Sequence, residues 1–322
     1  MVPKRLLNAL SDKKHRVFVV AAHVNPEGDA VGSLLALASL LRRLGKKVHA
    51  VVEERVPAEF GFLPGLKGLR RRAWPKDYDV CVLIDCSNTT RIGGLRRRLR
   101  PDRLLVNIDH HVSNTRFGDV NWVDPSASSA CEMLQGLFGA LRVPIRHAEA
   151  LSLYTGIMTD TGSFRFASTT SRTHAACADL LRHGVDVNVV YRRLHENWPF
   201  RAVALLGEVL RTLRRDKSGT VAWLTVAAPM LRRCPLFLSR TDAIIRFARS
   251  VAGVEVAVLF KEVRPGEVRV NFRSCRGRDV NRLARRFGGG GHPTASGCTV
   301  HGRLKDVVRR VVDAAVPGKV KR

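Results

Sequence analysis

The sequence predicts two α/β domains, the first built on a parallel sheet. Three observations carry this. Short apolar runs rich in valine alternate with helical patterns, which is how strands joined by crossover helices read. Three of those runs end in Asp or His, so these side chains collect at one edge of the sheet, where open α/β sheets place their ligand sites. The chain has 322 residues, 45% of them hydrophobic, which suits two cores rather than one.

The stretch RVFVVAAHVNPEGDAVGS, residues 16–33, opens the first domain. Residues 17–22 read as a buried strand that ends at His23. Glu27, Gly28 and Asp29 follow on a turn, with Ser33 placed to cap a helix over 34–44 that closes at Gly45. A second strand spans 47–52, and 56–69, with its Pro and Gly, reads as loop. Residues 78–85 repeat the opening pattern and end in Asp85; the basic segment 91–100 reads as a short solvated helix. A strand over 104–108 ends in Asp109, His110 and His111. Helices follow at 126–141 and 147–158, the latter running into a turn that carries Asp160 and Ser163. Helices at 172–183, 187–196 and 199–213 lead to the second domain. There, strands at 220–226, 255–263 and 267–274 precede a glycine run at 288–291, His292 and an amphipathic helix at 304–315. The expected division is 1–190 for the first domain, 191–213 for a helical linker, 214–316 for the second domain and 317–322 for a basic tail.

Lys and Arg number 55 against 28 Asp and Glu, a net charge of +27 that attracts polyanions, nucleic acid first. A general taste for arginine spread over every face is the bland counterpart. Aromatic residues make up 6%, too few for a broad base-stacking platform along a long strand. Seven scattered cysteines without a CxxC read as reduced thiols in the cytoplasm, with Cys86 a small packing residue. The basic N-terminus followed by VFVVAA faintly resembles a signal peptide, but cleavage there would destroy the motif that follows. No apolar run approaches the roughly 20 residues that span a membrane.

The groups expected to converge are His23, Glu27, Asp29, Asp85, Asp109, His110, His111 and Asp160. One metal does not need so many. A pair of cations with a bridging carboxylate does, and burying that many carboxylates without cations is costly. Imidazole with carboxylates suits a hard or borderline cation such as Mn²⁺.

HVNPEGDAVGS, LIDCS, DHH, MTDTGSF and FGGGGHPTASG, in that order, resemble the DHH phosphoesterase superfamily. More narrowly, they are similar to its bacterial nanoRNase/pAp-phosphatase group, which carries a DHH-associated C-terminal domain. The resemblance implies a Rossmann-like DHH domain and a smaller α/β domain, with the active-site cleft between them. It implies one metal on His23, Glu27 and Asp85, and a second on Asp29, Asp85, His110 and Asp160, with Asp85 as the bridge. His111 would contact the scissile phosphate and Asp109 would orient the histidines. Arg273, Ser274, Gly289, Gly290, Gly291 and His292 match the substrate-binding residues. At position 27 most members carry Asp, where this chain has Glu.

The expected activity is hydrolysis of short single-stranded oligoribonucleotides, and of pAp to AMP, by metal-activated water. The cofactor is two Mn²⁺ ions, with Mg²⁺ or Co²⁺ as alternatives; a homodimer is one option, and the sequence leaves the oligomeric state open. A phosphodiesterase of cyclic dinucleotides or their linear products is the rival within the class, and a non-catalytic nucleic-acid-binding regulator the rival outside it. No side-chain nucleophile is nominated, because neither Ser33 nor Ser163 has an assignable histidine–carboxylate pair; helix capping and turn formation are their expected roles. The glycine run reads as a backbone nest for phosphate, with Arg273 as a bidentate partner, rather than as a flexible hinge.

Overall fold

The computed structural model describes residues 1–238, 240–291 and 293–316. His292 and the tail 317–322 lie outside the described residues. The chain packs as two units, Met1–Glu196 and the residues from Asn197 onward. No helix among the described residues is long and apolar enough to cross a membrane.

The first unit runs α1 (Lys4–Ser11), β1 (Val17–Ala21), α2 (Gly28–Arg43), β2 (Lys47–Val52), β3 (Arg70–Arg71), β4 (Val80–Ile84), β5 (Leu104–Asp109) and β6 (Val120–Val123). It closes with α3 (Ala130–Ala140), α4 (His147–Asp160), α5 (Ser171–Leu181) and α6 (Val187–Tyr191). The six strands lie in the order β3-β2-β1-β4-β5-β6, and every pairing is parallel. From β1 the chain steps outward to β2 and β3, then returns to lay β4 on the other side of β1. The strand order therefore reverses between β1 and β4. Ligands of open α/β sheets bind outside the strand ends at such a switch point. His23 follows β1 and Asp85 follows β4.

Helix α2 begins at Gly28, six residues before the sequence pattern predicted, so Asp29 lies in a helical first turn and not on a loop. Gly28, Gly32 and Ser33 look like turn residues, but packing demands them. A Cβ on Gly28 would lie 2.3 Å from Thr159 Oγ1, and one on Gly32 2.3 Å from the Ser152 carbonyl oxygen, both on α4. Glu27, in extended backbone, is the N-cap. Ser33 does not cap the helix: it sits inside α2 and donates to the Asp29 carbonyl at 2.6 Å. The helix is apolar nearly all round, because it is enclosed by the sheet and by α3 and α4.

Other departures have equally local causes. Segment 91–100 is no continuous helix: 3₁₀ turns over Thr89–Arg98 are broken at Gly93, which takes φ 61°, ψ −133°. Edge strand β6 and helix α1 are short, and their patterns are too brief to read. Residues 192–196, expected to continue a helix from 187, form a π turn.

The second unit comprises α7 (Phe200–Leu210), β7 (Arg214–Arg215), β8 (Val221–Val226), α8 (Ala228–Arg233), α9 (Thr241–Arg249), β9 (Val256–Arg264) and β10 (Glu267–Ser274). It continues with α10 (Val280–Arg285), β11 (Gly290–Gly291), β12 (Ala295–His301) and α11 (Leu304–Ala315). Its sheet is mixed, ordered β11-β12-β10-β9-β8-β7. Along β9, Ala257 and Leu259 face a core shared with α7 and α9, while Val256, Val258 and Phe260 face one shared with α10 and α11. Segment 191–213, expected as a linker, is absorbed on both sides: Ala202, Leu205 and Val209 of α7 are buried in the second unit's core.

The close approach of α2 to α4 yields a prediction. Gly32→Ala must push α2 off the α4 backbone and should cost roughly 1–3 kcal/mol, the usual range for overpacking. Urea denaturation measures this; unchanged stability would contradict the packing described.

Candidate metal centre

Asp85 is the first residue after β4 and is held with φ 56°, a left-handed conformation that is uncommon outside glycine. Its N–H donates to the Ile108 carbonyl at 2.9 Å, which ties the end of β4 to β5. The carboxylate is 4% exposed, and its two oxygens face different imidazoles. Oδ2 lies 3.3 Å from His23 Nε2, while Oδ1 lies 3.6 Å from His110 Nε2 and 3.5 Å from His111 Nδ1. Oδ1 accepts no hydrogen bond among the described residues.

His110 is the second hub. Its Nε2 stands 3.8 Å from Asp29 Oδ2 and 3.4 Å from Asp160 Oδ2. Two sets of donor atoms therefore cluster, Asp85 with His110 and His111, and Asp29 with His110 and Asp160. The separations exceed good hydrogen bonds, yet a cation with bonds of about 2.1 Å sets neighbouring donor atoms roughly 3–3.5 Å apart. The donor set and the unpartnered Asp85 oxygen fit divalent cations.

Each side chain is fixed from behind. Asp29 Oδ2 accepts from Ala130 N–H at 2.7 Å and Oδ1 from Cys131 N–H at 2.9 Å, so the N-terminus of α3 holds this carboxylate. Gly156 on α4 leaves the space: a Cβ there would lie 2.2 Å from Cys131 Sγ and 3.1 Å from Asp29 Oδ1. Asp160 is the last residue of α4. Asp109, fully buried, accepts from His111 Nδ1–H at 2.7 Å, which fixes the tautomer of that ring. His23 Nδ1 meets the Val24 carbonyl at 2.6 Å.

Electrostatics sharpens the picture. Burial pushes the Asp85 carboxyl up, but His110 and His23 outweigh it and hold it below the usual carboxylate range. Burial, then the Asp85 charge, pushes Asp29 up to about 6. Burial, then the Asp29 charge, pushes Asp160 up to about 8. Burial works against protonation of His110, yet Asp85, Asp160 and Asp29 raise it to about 10. Burial raises the Cys131 and Cys86 thiols, so both stay protonated and neither competes as a thiolate ligand.

Of the sequence candidates, His23, Asp29, Asp85, Asp109, His110, His111 and Asp160 are brought together. Glu27 is exposed at the N-cap of α2 and belongs to neither donor set, although its charge acts on Asp160. Asn107 and Asn114 were missed. Asn107, fully buried, donates to the Leu83 and Cys86 carbonyls; Asn114 donates to Asn107 Oδ1 and to Asp109. The signal was there: one amide inside the apolar run LLVNI. Ser163 has a partner that sequence reasoning did not find, His195 Nε2 at 3.2 Å.

In the second unit Arg273 is already engaged, with Nε donating to Asp242 Oδ1 at 2.8 Å and Nη1 to the Phe272 carbonyl at 3.0 Å. The glycine run has structural work of its own. Gly288 takes φ 72° just past α10, and a Cβ on Gly289 would lie 2.2 Å from the Gly297 carbonyl oxygen on β12. A Cβ on Gly291 would lie 2.6 Å from the Ala295 carbonyl oxygen, whereas the space at Gly290 is open, its nearest neighbour Asn281 Oδ1 at 3.9 Å. Asn281 Oδ1 and Ser274 Oγ are buried without a hydrogen-bond partner among the described residues.

Comparison with known proteins places this geometry. Residues 17–157 match the model for the N-terminal domain of the DHH family, and 240–316 match the DHHA1 domain. A bifunctional oligoribonuclease and PAP phosphatase NrnA from Thermus thermophilus is 33% identical, across 92% of this chain and 88% of that one. A protein of the same description from Bacillus subtilis is 28% identical, across 88% and 89%. An exopolyphosphatase-related protein from Bacteroides fragilis shares the fold with a TM-score of 0.90 at 24% identity, over 96% and 94% of the two chains.

The raised groups set a pH dependence. Asp29 and Asp160 hold protons more tightly folded than unfolded, so ionising them as pH rises from about 4 to about 8 removes stability. His110, raised to about 10, stabilises fully below its unfolded value and loses this as pH climbs toward 10. All three act in one direction. The Tm of EDTA-treated protein should fall from pH 6 to pH 8, and added Mn²⁺ should raise Tm more at pH 8. Equal Mn²⁺ increments at the two pH values would contradict this.

Proposed function

On the premise that the chain belongs to the DHH family, we propose that it is a metal-dependent phosphoesterase of short single-stranded oligoribonucleotides that also converts pAp to AMP. It is a hydrolase of phosphoester bonds. The observation that carries the reading is Asp85, buried, with one oxygen toward His23 and the other, unpartnered, toward His110 and His111. The relatives named as oligoribonuclease and PAP phosphatase, matched along most of both chains, support the choice of substrate.

In this reading His23 and Asp85 hold one cation, and Asp85, Asp29, His110 and Asp160 hold the other; Glu27 joins the first only by swinging inward from the N-cap. When bound, such cations activate water for in-line attack at phosphorus and offset phosphoryl charge. Asp29 stays aimed because the start of α3 donates to both its oxygens. His111, with Nδ1–H on Asp109, is oriented to donate from its other nitrogen to a phosphoryl oxygen. Arg273 and Ser274 of the second unit bind the non-reacting part of the substrate, with Asp242 fixing the guanidinium. Gly290, where the backbone is open, lets a phosphate approach; Gly289 and Gly291 shape the backbone around it. The cation is Mn²⁺ in this reading, and the setting is the cytoplasm, in keeping with seven free thiols.

The test is a ranking of kcat/KM with Mn²⁺ over a dinucleotide, a five-mer, a 24-mer, pAp and cyclic di-AMP. Dinucleotide, five-mer and pAp should lead; preference for the 24-mer or cyclic di-AMP would overturn the substrate assignment. Asp85→Asn, which keeps size and tolerates the left-handed backbone, should lower turnover by roughly a hundredfold to a thousandfold or more.

A further inference from the structure

The turn after Asp160 is more strained than a helix end requires. Helix α4 closes with Ser163 N–H on the Met158 carbonyl at 2.7 Å and Gly162 N–H on the Thr159 carbonyl at 3.0 Å. That closure needs one left-handed residue, and Gly162 supplies it with φ 57°. Yet Ser163 and Phe164 also take left-handed φ, 60° and 65°. L-residues adopt this conformation at a cost, and it persists only where the surroundings over-determine it.

The surroundings can be named. Thr161, fully buried, donates to the Ile157 carbonyl at 2.7 Å and accepts the Phe164 N–H at 3.1 Å. The Phe164 ring stacks on His174 of α5, with centroids 5.4 Å apart and planes 28° apart, and lies 6.2 Å from Tyr154. Ser163 Oγ meets His195 Nε2 at 3.2 Å. His195 stands in the π turn 192–196, the last residues of the first unit, and π turns recur at functional sites. Relaxing Ser163 and Phe164 to right-handed backbone would disturb the Ser163 N–H bond to the Met158 carbonyl that closes the last turn of α4, and Asp160 is the last residue of that turn.

We propose that His195, acting through Ser163, and His174, acting through Phe164, are positioning residues that keep this turn strained so that Asp160 stays beside Asp29 and His110 to bind a divalent cation. The inference rests on the two-cation reading of the site and extends it to two histidines outside every ligand set.

The experiment is a calorimetric titration of the full-length protein with Mn²⁺ alone. Wild type should take up two ions. His195→Ala and Ser163→Ala should weaken one of the two sites by roughly tenfold to a hundredfold, the range typical when the support of a metal ligand is removed, and leave the other unchanged. His195→Gln, which keeps a side-chain donor, should restore most of the affinity. Ser163→Gly separates backbone strain from loss of the hydroxyl: glycine adopts the left-handed backbone without a tether, so this variant should weaken the site less than Ser163→Ala does, and equal weakening in the two would overturn the inference. Two undiminished sites in His195→Ala overturn the inference while the two-cation reading stands. Loss of both sites together with a lower metal-free Tm overturns it in favour of a folding role. A wild-type protein that takes up a single Mn²⁺ overturns the two-cation reading and this inference with it.

Discussion

The structure depends on one electrostatic constraint: like charges crowded at the end of a buried sheet. Asp29, Asp85 and Asp160 approach one another around His110, and water is largely excluded from Asp29 and Asp85. Carboxylates so placed cannot all ionise unaided, which is why burial and mutual repulsion push Asp29 to about 6 and Asp160 to about 8. Much of the first unit answers this constraint. The N-terminus of α3 holds Asp29, Asp109 orients His111, and His110 and His23 keep Asp85 ionised. Glycines 28, 32 and 156 let α2, α3 and α4 approach closely enough to bring Asp29 and Asp160 together.

Why these residues meet was largely legible in the sequence, because strands buried on both faces write themselves as apolar runs and parallel strands deliver their C-terminal residues to one edge. His23, Asp85 and the Asp109–His111 triplet could be found on that logic alone. What could not be read are contacts between elements far apart in sequence. Gly28 and Gly32 resemble a turn until α4 is seen against them, so the sequence pattern starts the helix late and puts Ser33 at the cap, a position that Glu27 occupies without a side-chain capping bond. Asn114 acquires its meaning only when it bonds Asn107 and Asp109 across a loop. The pairing of Ser163 with His195 spans 32 residues and has no local signature.

The second unit shows the same limit. Its glycine run invited a purely ligand-binding explanation, but Gly289 is required by the β12 backbone and Gly288 by the turn past α10. Arg273 is likewise no solitary cation. Asp242 holds it, and close by Lys261, nearly buried on β9, donates to Thr241 Oγ1 and the Leu238 carbonyl and so anchors the start of the helix that carries Asp242. Burial, then Arg269 and Arg273, lowers Lys261 to about 8. The Arg273 guanidinium is therefore held in one orientation by groups on both sides of it.

The central claim is that two cations share Asp85. Anomalous diffraction from a Mn²⁺-loaded crystal, recorded on both sides of the manganese absorption edge, tests it most directly. Two peaks about 3.5–4 Å apart should appear, one on the His23 side of Asp85 and one on the side of His110, Asp29 and Asp160. A single peak, or a pair that leaves Asp85 outside the coordination of either ion, would contradict it.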